Sequence, residues 1–223
     1  MGRPLEDKMK TKIIAITLIL GILFSATAFA RKGPGLASGF LNTADACGFG
    51  VGHIGGFAGI GDEATSVFGA ITYGFSDFTE GRLKLGFSDL DVTGADPELM
   101  FGADLKYEFM DYYDKSKKQP LDMAFGAFLE FVNYEGGSVW EIGGNLITSI
   151  PYHFKSGRRL IPYGRFDLRL EQLSSENAND ESDFKIGLNI GAKYELGSDM
   201  SIYGEFQFDD NTGLFAGLDF RAF

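Results

Sequence analysis

The chain has 223 residues, with 20 basic against 31 acidic side chains, a net charge of −11 and a single cysteine. That balance excludes nucleic-acid binding, which rests on Lys and Arg contacts to phosphate, and one cysteine excludes an internal disulfide. Past residue 30 no window approaches 18 consecutive apolar residues, so any membrane role falls to strands.

At the N-terminus, Lys10 and Lys12 precede the apolar run Ile13–Phe24, and Ala28 and Ala30 supply the small residues of an A-x-A cleavage site. An apolar run that short, before such a site, reads as a signal peptide and not as a membrane-spanning helix. Export with cleavage after Ala30 is expected. Residues 1–30 are set aside as an N-terminal extension and leader, 31–46 as a loose N-terminal arm, and 47–223 as the folded domain. Removing the leader takes away four basic and two acidic residues, so the excess of acid grows.

Ten strand-like runs follow, near 47–60, 65–76, 81–92, 98–110, 121–134, 138–152, 160–173, 183–196, 200–209 and 213–223. Between them lie turn-forming stretches such as GDEA, DFTE, EGG, GSD and DNT, most of them short enough for antiparallel hairpins. No stretch keeps a helical period for three turns. The clearest run, FKIGLNIGAKYEL, sets Phe184, Ile186, Leu188 and Ile190 against Lys185, Gly187, Asn189 and Gly191. Period two means a strand with one apolar and one polar face. The expected fold is all-β, a closed up-and-down antiparallel barrel of about ten strands, with eight as the alternative.

Periodicity does not say which face is wet. A lipocalin-like barrel turns its apolar side inward, whereas a membrane barrel shows that side to lipid and keeps a polar lumen. The polar faces carry Arg82, Lys84, Lys106, Arg165, Arg169, Lys185, Lys193 and Arg221. Against these eight basic groups stand nine acidic ones: Asp104, Glu108, Glu130, Glu141, Asp167, Glu171, Glu195, Glu205 and Asp219. Small residues with nearly balanced charges suit a narrow lumen, because an unpaired buried charge is costly. These charges are expected inside, paired with one another across strands, with the excess acid left in the turns. Aromatics near strand ends, including Tyr73, Tyr107, Phe131, Trp140 and Tyr152, suit membrane interfaces.

An A-x-A leader, alternating strands up to the last residue, and the ending LDFRAF (Leu218–Phe223) together resemble bacterial outer-membrane β-barrel proteins. The turn within Tyr73–Phe87 is similar to their tight periplasmic hairpins. The resemblance implies a transmembrane barrel in the outer membrane of a Gram-negative bacterium, in contact with outer-membrane lipid and lipopolysaccharide. It also implies a terminal aromatic read by the barrel-assembly machinery. Phe223 breaks the parity of Leu218 and Phe220, as though Ala222 were an extra residue. Both termini are then periplasmic and the turns near 62, 95, 136, 178 and 211 face outward, whereas the basic turns at 115–118 and 155–159 face inward to the periplasm. The acidic outward turns read first as a solvated rim that keeps the chain soluble until insertion, with binding of divalent cations that bridge lipopolysaccharide as the alternative.

No enzyme is expected. Gly50-x-Gly52-x-x-Gly55 lacks the following helix of a dinucleotide fold and reads as glycines that make room on the lumen side. The two histidines, His53 and His153, are expected at different ends, and neither has a recognisable nucleophile context. Cys47 reads as a buried or rim thiol, and neither a metal nor a cofactor is expected. Two functions fit. One is a narrow porin-like channel for small solutes or ions. The other is a structural or interaction barrel whose lumen is plugged by salt bridges.

Overall fold

The computed structural model describes residues 36–90, 96–112, 120–134, 137–175 and 180–223. Their strands are β1 (Gly52–Gly61), β2 (Ala64–Gly74), β3 (Thr79–Leu90), β4 (Glu98–Met110), β5 (Asp122–Tyr134) and β6 (Gly137–Ser149). A two-residue strand β7 (Tyr152–His153) follows, then β8 (Arg159–Ser175), β9 (Glu181–Glu195), β10 (Met200–Phe208) and β11 (Gly213–Arg221). Every pairing is antiparallel, and β1 pairs with both β2 and β11. At the opposite seam β6 pairs with β8, which closes the sheet and leaves no edge. β7 only extends the hairpin into β8, through Tyr152 opposite Leu160. The barrel therefore has ten strands, and the eight-strand alternative falls.

The period-two pattern is obeyed with the charged side inward. Along β8, Arg169 is 1% exposed and its neighbour Leu170 is 52% exposed. Ile60, Val67, Leu85, Phe87, Ile142 and Leu214 all stand on the outside. An apolar outer wall around a charged interior is the arrangement of a membrane barrel. In water it would expose far more contiguous apolar surface than soluble monomers do. Aromatic pairs lie toward both ends of this wall, Tyr73–Phe75 and Phe109–Phe125 at one and Phe131–Trp140 at the other. Leu168→Arg, mid-way along β8 on the lipid side, is expected to lower stability by about 2–4 kcal/mol near the bilayer midplane. Urea titration in lipid vesicles measures this; a midpoint equal to the parent's would mean that inside and outside had been exchanged.

β1 begins later than its sequence suggests. Cys47 to Val51 form a tight turn, with Gly48 and Gly50 at φ of +88° and +73°, a region L side chains rarely occupy. On the lumen face of β1, a Cβ at Gly59 would lie 2.2 Å from the ring of buried Phe215. At Gly55 it would lie 2.6 Å from the ring of Phe57. Of the motif's three glycines only Gly55 makes room in the lumen, and for an aromatic ring: Gly50 has nothing within 4 Å, and a Cβ at Gly52 would meet the outward Phe223 ring.

The last strand ends in a bulge. Arg221 is opposite His53, Ala222 donates to the Gly52 carbonyl, and the Gly52 N–H goes to the carbonyl of Phe223. One extra residue on that strand reverses the parity, and the Phe223 ring, 61% exposed, sits 6.1 Å from outward-facing Tyr73.

Candidate functional site: a lumen threaded by the N-terminal arm

Twelve of the charges expected inside are 5% exposed or less: Arg82, Lys84, Lys106, Glu108, Glu130, Glu141, Arg165, Asp167, Arg169, Glu171, Lys185 and Glu205. Glu195 and Asp219 follow at 9%, and Asp104 and Lys193 are only slightly open. Arg221 departs from the expectation. It is exposed, because β11 ends there and its side chain reaches only the mouth of the barrel.

Some of these groups pair across neighbouring strands. Arg82 binds Asp104, its register partner, and the Lys84 ammonium lies 3.4 Å from the same carboxylate. Lys106 reaches Glu80 at 3.0 Å; the sequence reading placed Glu80 in a turn, but β3 starts at Thr79. Arg169 hydrogen-bonds Asp167 at 2.9 Å, lies 3.5 Å from Glu141 and forms an ion pair with Asp209 at 2.9 Å. Lys185 meets Asp210 at 2.8 Å. The acids of the turn after β10 thus point into the barrel and do not offer their oxygens outward. The turns near 136 and 178 and most of that near 95 lie outside the described residues, as does 115–118.

The arm is not loose. Leu36, Ala37, Ser38, Phe40, Leu41, Thr43 and Ala44 are each at most 2% exposed, inside the barrel. Ten strands begin and end at one mouth, which can be called the C-terminal end. Leu36 sits at the other mouth, where its carbonyl accepts from Gln207 Nε2 at 2.9 Å and Asn211 Nδ2 at 3.0 Å. Cys47, at the C-terminal end, donates its N–H to Glu80 Oε2 at 2.8 Å. The arm therefore runs the length of the lumen as an eleventh passage. The reason is geometric. Side chains just fill an eight-strand interior, and the diameter grows with strand number, so ten strands leave room for a peptide.

Wall side chains hold the arm by its main chain. Glu130 accepts the Ala37 N–H at 2.8 Å and the Ser38 hydroxyl. Glu205 accepts the N–H groups of Phe40 and Leu41, each at 2.8 Å, one on each oxygen. Glu108 takes that of Ala46 at 2.8 Å. The carbonyls go to the cations: Arg82 to Leu41 and Arg165 to Asn42, both at 3.3 Å. Lys106 serves Thr43 at 2.7 Å and Asp45 at 2.8 Å. Sequence pattern could assign these charges to a lumen but not to this partner. Apolar arm residues find inward-facing rings and aliphatics. Phe40 packs edge-on to Phe128, 4.8 Å between centroids, under the Arg165 guanidinium at 3.9 Å. Leu41 joins Phe57, Phe68 and Phe215, and Ala44 joins Ala124 and Ile147.

A vestibule of about 220 Å³ opens at the C-terminal end, lined in part by Asp45, Cys47, His53, Lys193, Tyr203 and Asp219. His53 Nδ1 lies 3.5 Å from Asp219 Oδ2, to which the Tyr203 hydroxyl donates at 3.0 Å. Burial pushes the Cys47 thiol up to about 12, and the carboxylate of Glu80 adds to the rise. A thiol so held is not a thiolate nucleophile at neutral pH. His153 lies in exposed β7 at this same end. The two histidines therefore do not occupy opposite mouths, since β1 starts where the β7–β8 hairpin turns. Glu108, Asp111 and Asp122 bring carboxylate oxygens within 4.8 Å of one another nearby. Two of them already serve backbone N–H groups, those of Ala46 and Tyr112.

No protein-family model matches the chain, and no curated protein matches it. Among solved structures, it is similar to the N-terminal β-barrel domain of Pseudomonas aeruginosa OprF at 13% identity and a TM-score of 0.36, over 78% of this chain and 98% of that one. It is also similar to the KdgM porin, at 12% identity and a TM-score of 0.37 over 75% and 98%. An outer membrane channel from Pseudomonas putida F1 aligns at 12% identity and a TM-score of 0.34, over 86% and 99%. Likenesses this distant carry no argument about what the chain does; the closed ten-strand barrel rests on its own strand pairing.

Proposed function

We propose that this chain is a non-enzymatic outer-membrane β-barrel of a Gram-negative bacterium, closed at rest by its own N-terminal arm. The observation that carries the reading is the burial of Leu36 to Ala44 within a charged lumen whose outer wall is apolar. The lumen charges then act first as the clamp on the arm. They set ion selectivity only when the arm leaves, so the narrow channel and the plugged barrel are two states of one molecule. The reading keeps contact with lipopolysaccharide-bearing lipid, and recognition of the outward-turned Phe223 by the barrel-assembly machinery.

Planar-bilayer recording of the refolded full chain tests the closed state. The parent is expected to be silent at moderate voltage, and Glu130→Ala combined with Glu205→Ala, which frees four main-chain N–H groups of the arm, is expected to give fluctuating steps. Stable ohmic conductance from the parent protein would overturn the closed reading.

A further inference from the structure

Resting on that reading, we infer that the lumen is a binding site for a single polypeptide segment, kinked at the left-handed positions of Gly39 and Leu41 around one fixed aromatic residue, and that the arm is its resident, replaceable occupant. Three observations lead there. First, the arm is held by wall side chains and not by strand pairing: the carboxylates Glu130 and Glu205 take N–H groups, and Arg82, Lys106 and Arg165 take carbonyls. Such contacts read any peptide main chain. Second, few arm side chains are read. Phe40 is the chief one, lodged between Phe128 and the Arg165 guanidinium; Leu36 packs in the same cluster and Leu41 against Phe57, Phe68 and Phe215, and Ser38 and Asn42 add polar contacts to Glu130 and Glu80. Third, the arm joins the wall through the Gly48–Gly50 turn, whose Phe49 is 71% exposed. The joint lies outside the clamp, so the occupant and the wall are separable in chemistry as well as in sequence.

A site that satisfies both donors and acceptors of an unpaired peptide is what a lone buried segment requires. It is also more than a salt-bridge plug needs, because Glu205 gives both oxygens to arm N–H groups as well as to Tyr163 and Asn189, and Glu130 takes arm donors with Lys84 3.8 Å away. The ligand class follows: a segment of about a dozen residues, small at most positions, with a ring where Phe40 sits, leucine-sized groups at Leu36 and Leu41, and a glycine where Gly39 turns left-handed.

The test uses the full chain carrying a protease recognition sequence inserted after Phe49, refolded in detergent micelles. Before cutting, protection of residues 36–46 from a non-specific protease reports whether the arm is in the lumen; digestion there would overturn the closed reading itself. After cutting, the arm fragment is expected to co-elute with the barrel. A fluorescent synthetic peptide of residues 36–47 is then expected to replace it. A peptide with Thr43 replaced by Ser should compete to within a fewfold, and the Phe40→Ala peptide at least about tenfold less well. Loss of the fragment on cutting, a protected arm that never exchanges, or equal competition by Phe40→Ala would each overturn the peptide site.

Discussion

Glu205→Ala is expected to lower stability by about 3–5 kcal/mol, the range for removing one partner of a buried charged network. Glu205 is 1% exposed and serves four donors. Its two oxygens take the Phe40 and Leu41 N–H groups, the Tyr163 hydroxyl at 2.8 Å and Asn189 Nδ2 at 2.8 Å. Alanine leaves the two N–H groups and the Tyr163 hydroxyl without this acceptor where water is scarce, and Asn189 Nδ2 with only Gln207 Oε1, at 3.1 Å. Hydrogen bonds to a charged group are worth about 1.5–3 kcal/mol each, so the loss falls mainly on the arm, which has no strand partner to fall back on. Glu205→Gln keeps one acceptor oxygen and should lose roughly half as much. Urea titration in lipid vesicles gives the magnitude, and proteolysis between residues 36 and 46 gives the location. An unchanged midpoint with a fully protected arm would show that Glu205 is not the clamp.

The wall was legible because a strand's two faces are a local property. FKIGLNIGAKYEL announces its inward Lys185, Asn189 and Lys193 by parity alone, and β4 was bounded to the residue at Glu98–Met110. Closure into one sheet suited nearly every strand being two-faced, though a sandwich shows the same pattern and the first and third strands are less clean. What fills the wall was not legible, because it depends on which distant groups meet. RKGPGLASGF has no period and several small residues, and its Gly-Pro-Gly is a loop signal, so it reads as a tail. Only the interior width of ten strands, and carboxylates aimed at Ala37, Phe40 and Leu41, make it a plug. One signal was available. With about as many wall cations as carboxylates, an interior wider than its side chains still needed something polar and slender in the middle. Glu80 and Asp209 were missed for a different reason. Both sit at strand ends beside turn residues, where a boundary error of two residues decides whether an acid is rim or lumen.

Arg169→Met should cost about as much as Glu205→Ala, roughly 3–5 kcal/mol, but with a pH dependence that the other variant lacks. The guanidinium, 0% exposed, is shared by Asp167, Glu141 and Asp209. Methionine keeps most of the volume and removes the cation that these three carboxylates share. Asp209, in the turn after β10, shows the direction. Burial already pushes its carboxyl up to about 7 while Arg169 pulls it down, and without Arg169 it rises further. An acid whose folded pKa lies above its unfolded value of about 3.9 binds its proton more tightly when folded. Its contribution is present below the unfolded value and is lost as pH rises through the folded one. The gap between parent and variant should therefore be small near pH 5 and widen through pH 7 to 9. Replacing Asp209 and Asp167 by Asn in the Arg169→Met background removes two of the three stranded carboxylates, leaving Glu141, and should restore much of the loss at high pH, since each removed acid is one buried charge fewer without its cation. Urea midpoints of the parent, the single and the triple variant at three pH values decide it. A loss of equal size at pH 5 and 9 would mean that Arg169 acts by packing, and not as the cation that holds these acids.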